Sequence, residues 1–307
     1  MEQIKLFCPA TIANLSCGFD VLGLCLDTIG DEMIVSKTAN KGIRITKITG
    51  ADLPLETINN VAGVAAMAML DEIQPDFGIE IDIHKKIKAG SGIGSSAASA
   101  AGAVFGINEL MGKPFSRKEL VRFAMKGEAL ASGSEHADNV APALVGGFTL
   151  VRGYDPLDII KIDSPSELFA TVIHPQIELK TSEMRAVLEP LVSLKSAIKQ
   201  WGNLGGLIAG LYTSDYDLIH RSLHDEIVEP LRGKFIPKFE LIKGIALKSG
   251  ALGAGISGSG PSIYALSKGL ETAEKVAFEI NKAYLDTGIP FEIHVSKINS
   301  EGIKIIN

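Results

Sequence analysis

Lys88-Ala89-Gly90-Ser91-Gly92-Ile93-Gly94-Ser95-Ser96 has the clearest capacity for chemistry in this chain. Before it, Ile79, Ile81 and Ile83 alternate with polar residues as a strand does. After it, the small residues Ala97, Ala98, Ser99, Ala100 and Ala101 open a predicted helix reaching about Met111. A glycine-rich turn between strand and helix converges backbone N–H groups on an anion, and the helix dipole adds to them. Alternating glycines permit close approach to phosphate, and Ser95 and Ser96 bring hydroxyls to a phosphate or a bound Mg²⁺. The Gly-Lys-Ser/Thr ending of an ordinary P-loop is absent, so that class is excluded. The competing explanation is a plain strand-to-helix turn with Ser95 as its cap.

A second glycine cluster, Gly253-Ala254-Gly255-Ile256-Ser257-Gly258, formally matches the dinucleotide fingerprint. That fingerprint needs a strand before it and a helix after it. Here a helical pattern over 237–249 precedes it, and Pro261 and Ile263 lead into a strand, so the match is a decoy. His220 and His224 stand four apart on a predicted helix, but position 221 is Arg, not the Glu of a zinc-protease pattern. They read as ordinary exposed or core histidines. No Gly-x-Ser-x-Gly occurs, which leaves an α/β-hydrolase without support.

The elements that must hold these stretches read as follows. Strands are expected over 4–7, 21–26, 31–38, 42–49 and 78–87, with an irregular polar segment over 9–20. Asn59 or Asn60 caps a helix to about Ile73. Helices follow over 97–111 and 117–130, then a strand at Phe148-Thr149-Leu150-Val151. Ser164-Pro165-Ser166 interrupts the pattern near 163–167 and predicts a boundary. Beyond it come a strand over 168–174, helices over about 191–212, 215–226 and 237–248, a strand over 261–266, a helix over 270–286 and a last strand over 291–298. Strands and helices interleave in both halves, and the expected architecture is an α+β chain of two domains, 1–164 and 165–307.

Composition narrows the classes further. The 307 residues are 46% hydrophobic and 21% charged, which excludes a disordered or fibrous chain. Thirty basic against 36 acidic side chains give a net charge of −6 with no basic stripe, so nucleic acid is not the expected partner. The N-terminus lacks the basic start and apolar core of a signal peptide, and no apolar run is long enough to span a membrane. Three cysteines, at 8, 17 and 25, form neither a disulfide framework nor a zinc signature and fit a reducing, cytoplasmic setting.

The turn over 88–98 resembles the nucleotide-phosphate motif of the GHMP kinases, with Lys88 and Ile93 where many members carry proline and leucine. Gly250 to Pro261 resembles that family's third motif, a turn under the active site. Pro9-Ala10-Thr11-Ile12-Ala13-Asn14-Leu15-Ser16-Cys17-Gly18-Phe19-Asp20-Val21-Leu22-Gly23 is similar to the opening of the homoserine-phosphorylating branch, with Thr11 for serine and Ser16 for glycine. Glu128 with 134–142, Thr181 to Leu188 and Asp225 to Arg232 match the same branch. The resemblance covers about residues 5–297.

It implies a ribosomal-protein-like N-terminal domain with a βαβ crossover, a ferredoxin-like C-terminal domain, and a site in the cleft between them. It implies ATP and Mg²⁺ as cofactors and L-homoserine as substrate, phosphorylated on its hydroxyl. Carried over residue by residue, 88–98 (Lys88, Ala89, Gly90, Ser91, Gly92, Ile93, Gly94, Ser95, Ser96, Ala97, Ala98) holds the nucleotide phosphates. Asn60 meets the adenosine end, and Ser96 with Glu128 holds Mg²⁺. Asn14 and Asp20 receive the substrate ammonium, Arg185 and Arg232 its carboxylate. Asp138, His136 and Gly258 complete the substrate end. His136 and Asn139 orient the substrate and help stabilise the transferring phosphoryl, without a strong general base. A mevalonate-type kinase and a non-catalytic ligand-binding relative are the alternatives. A homodimer is compatible with the resemblance.

Overall fold

The computed structural model describes residues 2–307 and contains two sheets. The first is ordered β11 (Lys304–Ile306), β1 (Gln3–Ala13), β2 (Leu22–Thr38), β4 (Gly78–His84), β3 (Ile43–Thr49), with β5 (Phe148–Tyr154) paired to β2 and β6 (Leu157–Ile162) paired to β5. Strand β1 (Gln3–Ala13) runs well past the expected 4–7 into the segment read as irregular. Pro9 survives inside it because the register with the neighbouring strand shifts between Pro9 and Thr11, so the missing N–H falls at an irregularity. β2 (Leu22–Thr38) is one strand of 17 residues where two were expected. Its first residues pair with β5 (Phe148–Tyr154), its last with β4 (Gly78–His84). β5 turns back into β6 (Leu157–Ile162).

β3 (Ile43–Thr49) lies parallel to β4, and α1 (Val61–Ile73) connects them as the βαβ crossover. Asn60 caps α1, its Oδ1 accepting from the Ala62 N–H at 3.0 Å. Across the sheet lies α2 (Ser95–Leu110), almost wholly buried. Its small residues are the reason: a Cβ at Gly106 would press into Val35 and Leu6 of the sheet. α3 (Arg117–Ser132) carries the capping box of Ser116 and Glu119 and packs beside α1 and α2. α4 (Val140–Val145) completes the layer.

The chain leaves the first sheet after Ile162 and enters the second at Leu168. That sheet is antiparallel throughout, ordered β10-β7-β9-β8 from Phe291–Lys297, Leu168–Pro175, Ile263–Lys268 and Gly253–Ile256. α9 (Phe239–Lys248) and α10 (Leu270–Leu285) cover one face, burying Ile242, Ala246, Val276, Ile280 and Tyr284 against it. α5 (Thr181–Ala186), α6 (Leu194–Thr213), α7 (Tyr216–Ser222) and α8 (Glu229–Arg232) fill the connection between β7 and α9.

Several expectations are corrected. The helix placed over 215–226 ends at Ser222, so His224 lies beyond it and the two histidines share no helical face. The first half of the second glycine cluster is strand β8, and only 257–262 forms the turn. A strand not foreseen, β11 (Lys304–Ile306), pairs with β1. The unit expected over 165–307 therefore returns its last residues to the first sheet. Arg117 fastens them there, donating to the carbonyls of Glu301 and Ile303 at 2.7 and 2.9 Å. Among the described residues, no helix is long and apolar enough to cross a membrane.

Candidate active site

A cavity of about 420 Å³ opens where the two sheets meet. The turn after β4 forms one wall. Gly90, Gly92 and Gly94 there have φ of 70°, 81° and 71°, which a side chain would strain. At Gly92 a Cβ would also press against the Gly260 carbonyl oxygen, 2.6 Å away, so the turn can seat only on its partner turn if that position stays bare. Ala89, Gly90, Ser91, Gly92, Gly94, Ser95 and Ser96 line the cavity. Ile93, Ala97 and Ala98 are buried behind it as packing. Lys88 reaches outward to Gln176 Oε1 at 2.8 Å. Asn60 is engaged in its cap and with the Pro54 carbonyl at 2.8 Å, and it does not line the cavity; neighbouring Val61 and Leu53 do.

Lys85, at the end of β4, was not singled out by sequence reasoning. Its ammonium is buried under the turn, paired with Asp31 and donating to the Ser95 carbonyl at 2.8 Å and Ser99 Oγ at 3.1 Å. Asp31 in turn accepts from the N–H groups of Lys86 and Ile87 at 2.7 and 2.9 Å. The pair braces the first turn of α2 from below. The only sequence signal was a charged residue ending an alternating strand.

Opposite the turn, Ser96 Oγ donates to Glu128 Oε1 at 2.9 Å. Glu128 projects from α3 and is 8% exposed, and its Oε2 is buried with no partner. Burial raises its pKa, opposed by the Ser96 hydrogen bond and by Lys85. A buried carboxylate with a free oxygen beside a serine hydroxyl is a donor set suited to a hard cation. Mg²⁺ usually takes one or two protein oxygens, with phosphate and water completing six. Ser96 and Glu128 fit that pattern.

Five chain segments build the end of the cavity expected to take substrate. Asn14 follows β1 with φ 75°, inside a strained turn with Leu15 and Ser16 at 45° and 59°. Its amide donates to the Gly258 carbonyl at 2.8 Å and accepts from the Asp20 N–H at 3.1 Å. Asn139 Oδ1 accepts from Thr11 Oγ1 at 2.7 Å. Asp138 is 6% exposed, its backbone set against β2 because Gly23 has no Cβ to meet its carbonyl. Burial, then the nearby Asp20 and Glu128 charges, push the Asp138 carboxyl up to about 7. His136 is held by Ser134 Oγ at 2.6 Å, with its Nδ1 3.8 Å from Asp20, and burial lowers its pKa.

The two arginines arrive from α5 and α8. Arg232 is 3% exposed and donates to the carbonyls of Met184 and Gly258 at 2.9 and 3.2 Å. Burial, then Arg185, lowers its pKa to about 10, so it keeps its charge at neutral pH. Arg185 grips Asp20 with both terminal guanidinium nitrogens, at 3.0 and 2.8 Å, while its Nε is buried with no partner. The groups expected on opposite substrate charges thus meet each other directly, which their separate positions in the chain could not reveal. Phe19, also missed, lies with its ring 5.4 Å from Arg185 and 5.1 Å from Arg232. Thr181, Ser182 and Ser259 add hydroxyls to the wall, Thr181 and Ser259 standing 3.3 Å apart. Their only signal was proximity to matched motifs. His220 is bound to the Leu252 carbonyl and His224 to Glu226, outside the site.

The GHMP kinase N-terminal domain model matches residues 59–147, and the GHMP kinase C-terminal model matches 207–286. A homoserine kinase of Chlorobium phaeobacteroides (strain DSM 266) is 45% identical over the full length of both chains. One from Xylella fastidiosa (strain M12) is 36% identical, over 99% of this chain and 94% of its own. A crystal structure of homoserine kinase from Cytophaga hutchinsonii ATCC 33406 superposes with a TM-score of 0.96 at 48% identity, covering 100% of this chain and 98% of that one.

The raised Asp138 makes a prediction about stability. Its folded pKa, about 7, lies above the unfolded value, so between about pH 4 and pH 7 the folded state holds a proton the unfolded state has lost. This group's contribution therefore falls as pH rises through that window. Asp138→Asn should gain stability relative to the parent protein from pH 4.5 to 7.5, by on the order of 2–4 kcal/mol. Paired urea melts across that range test it; a pH-independent difference between the two proteins contradicts the assignment.

Proposed function

The chain belongs to the GHMP kinase family, in its homoserine kinase branch, and from that premise we propose how its residues carry the reaction. The activity is ATP-dependent phosphorylation of the L-homoserine hydroxyl, giving O-phospho-L-homoserine. One observation carries the assignment of roles: the anion-binding turn and an opposed set of charges, Asp20 against Arg185 and Arg232, line one cavity.

Homoserine brings an ammonium and a carboxylate at one end and the reacting hydroxyl at the other. Burying both charges without partners would cost several kcal/mol. Asp20, with Asn14 beside it, receives the ammonium; Arg185 and Arg232 receive the carboxylate. In the protein alone Asp20 and Arg185 satisfy each other, so a zwitterion can replace each partner with an equivalent charge. Mevalonate brings a carboxylate but no ammonium, so drawing Arg185 away from Asp20 would leave Asp20 with no cation to replace it. That is the reason to prefer homoserine over the mevalonate-type alternative. A non-catalytic relative would have no use for an unpartnered carboxylate oxygen at Glu128.

The backbone N–H groups of the 88–96 turn and the start of α2 bind the ATP phosphates, and Ser96 supplies a hydroxyl; Ser95 Oγ, expected to do the same, instead donates to the Ile87 carbonyl at 2.9 Å and caps the turn. Ser96 and Glu128 hold Mg²⁺, which when bound neutralises charge on the phosphates. The homoserine oxygen forms its bond to the γ-phosphorus as the bond to the ADP oxygen breaks, and the hydroxyl proton passes to an oxygen of the transferred phosphoryl and from there to solvent. Such transfer asks chiefly for positioning and charge stabilisation. Asp138 accepts a hydrogen bond from the hydroxyl, and His136 and Asn139 orient it, so no strong base is needed. The three cysteines are unpaired and buried, which suits a reducing cytoplasm.

Helix α6 supports a homodimer. Leu194, Ile198, Trp201 and Tyr212 are 50–68% exposed on one stripe, while Ala197, Gln200, Leu207 and Leu211 are buried on another. Gly202 and Gly205 have open space before them, which would let a second helix approach. We take a second copy of this chain as the partner of that stripe. Trp201→Lys should halve the mass measured by light scattering at micromolar concentration; a parent protein that is already monomeric refutes this part.

Two further outcomes test the chemistry. Glu128→Gln should lower turnover about 100-fold or more at limiting Mg²⁺, with no loss of melting temperature. Unchanged Mg²⁺ dependence would remove Glu128 from the site. Arg232→Lys keeps the charge but loses the planar fork that can meet two oxygens. It should cost about 1.5–3 kcal/mol in kcat/KM for homoserine. The decarboxylated analogue 3-aminopropanol should be nearly unaffected. An equal penalty on both substrates would place Arg232 elsewhere.

A further inference from the structure

Behind the substrate wall, Gln200 of α6 and Asp225 form a buried clasp, 7% and 5% exposed. Gln200 Nε2 donates to Asp225 Oδ1 at 2.9 Å and to the Cys17 carbonyl at 3.1 Å. Its Oε1 accepts from the Glu226 N–H at 2.9 Å. Asp225 accepts three more bonds from the chain just after it. Oδ1 takes the N–H groups of Ile227 and Val228 at 2.9 and 3.1 Å, and Oδ2 takes that of Glu229 at 2.9 Å.

A buried carboxylate with no contacting cation is costly unless its lone pairs are filled. Here all its protein partners are N–H groups, and every one serves to fix backbone. Asp225 sets the turn that launches α8, on which Arg232 stands three residues after Glu229. Through Cys17, Gln200 joins that turn to the loop 14–20, on which Asn14 and Asp20 stand. The clasp therefore ties the segment bearing the ammonium partners to the segment bearing a carboxylate partner. Neither residue lines the main cavity, and the side pocket that Asp225 shares with Asn14, Arg232 and Gly258 is only about 10 Å³, too small to hold homoserine.

We propose that Gln200 and Asp225 are positioning residues that set the spacing between Asn14/Asp20 and Arg232, and so the affinity and selectivity for an α-amino acid. The inference rests on the substrate assignment made above. Bidentate contacts depend on sub-ångström placement, so a shift of one segment weakens the carboxylate contact while leaving the phosphate turn, on the other wall, undisturbed.

Gln200→Met keeps length and bulk but removes all three hydrogen bonds; Asp225→Asn sets an amide N–H against donors. For both variants, KM for homoserine should rise about 10-fold or more, with KM for ATP within twofold and kcat lowered less than KM is raised. Turnover of 3-aminopropanol should fall less than that of homoserine. Circular dichroism and melting identify a variant that does not fold; if Asp225→Asn fails there, Gln200→Met decides. Equal effects on both KM values, unchanged kinetics, or loss of folding in both variants would overturn the proposal. Arg232→Lys run alongside separates the two readings. If it raises KM for homoserine and Gln200→Met does not, the clasp fails alone. If Arg232→Lys also leaves homoserine kinetics unchanged, the substrate assignment fails first.

Discussion

The Gly258 carbonyl oxygen is the point on which the site depends. It accepts from Asn14 Nδ2, carried by the first sheet, and from Arg232 Nη1, carried by α8. Around it the turn over 257–262 is sewn to both neighbours. Ser257 Oγ donates to the Gly92 carbonyl at 2.7 Å, Ser262 Oγ to the Ser91 carbonyl at 2.6 Å, and the Gly258 N–H to the Ala13 carbonyl at 3.2 Å. One short turn of the second domain thus fixes the glycine-rich 88–96 turn and the loop over 14–20, the segments proposed to hold phosphate and substrate, relative to each other. Phosphoryl transfer needs that relation more than it needs any single strong acid or base.

Charge burial is the second constraint, and the protein meets it differently at each place. Lys85 and Asp31 neutralise each other under α2, with Lys85 also lining the cavity below the turn. Asp225 is surrounded by N–H donors and holds backbone. Glu128 and Asp138 receive too little compensation, and their pKa values rise. Those two face the cavity. The incomplete satisfaction falls where a cation and a substrate hydroxyl are proposed to supply what is missing. Asp20 and Arg185 are an intermediate case, satisfied by each other and exposed enough for a ligand to exchange with them.

Packing explains why so many small residues cluster near the site. α2 is buried on nearly all sides, so its alanines and glycines are what allow sheet, α1 and α3 to close on it. The rigid helix then presents Ser95 and Ser96 at a fixed height above the Lys85–Asp31 brace.

The sequence by itself determined the two-domain α+β class and most element positions, and it marked most of the stretches that the structure brings to the cavity wall. It could do so because strand–glycine turn–helix, alternation and capping are local patterns, each written within about fifteen residues. Asn60 as a cap and the helix behind the 88–96 turn belong to that kind. Tertiary structure decided what depends on contacts between distant segments. β1 continues through Pro9 because β2 shifts register beside it, and β11 exists because the chain end finds a free edge of β1. Phe19, Lys85 and the Gln200–Asp225 clasp carry no local signature, since a buried polar residue and an exposed one look alike in a sequence. The meeting of Asp20 with Arg185, 165 residues apart, follows only from how the two domains close, because Coulomb and hydrogen-bond partners are set by distance in space.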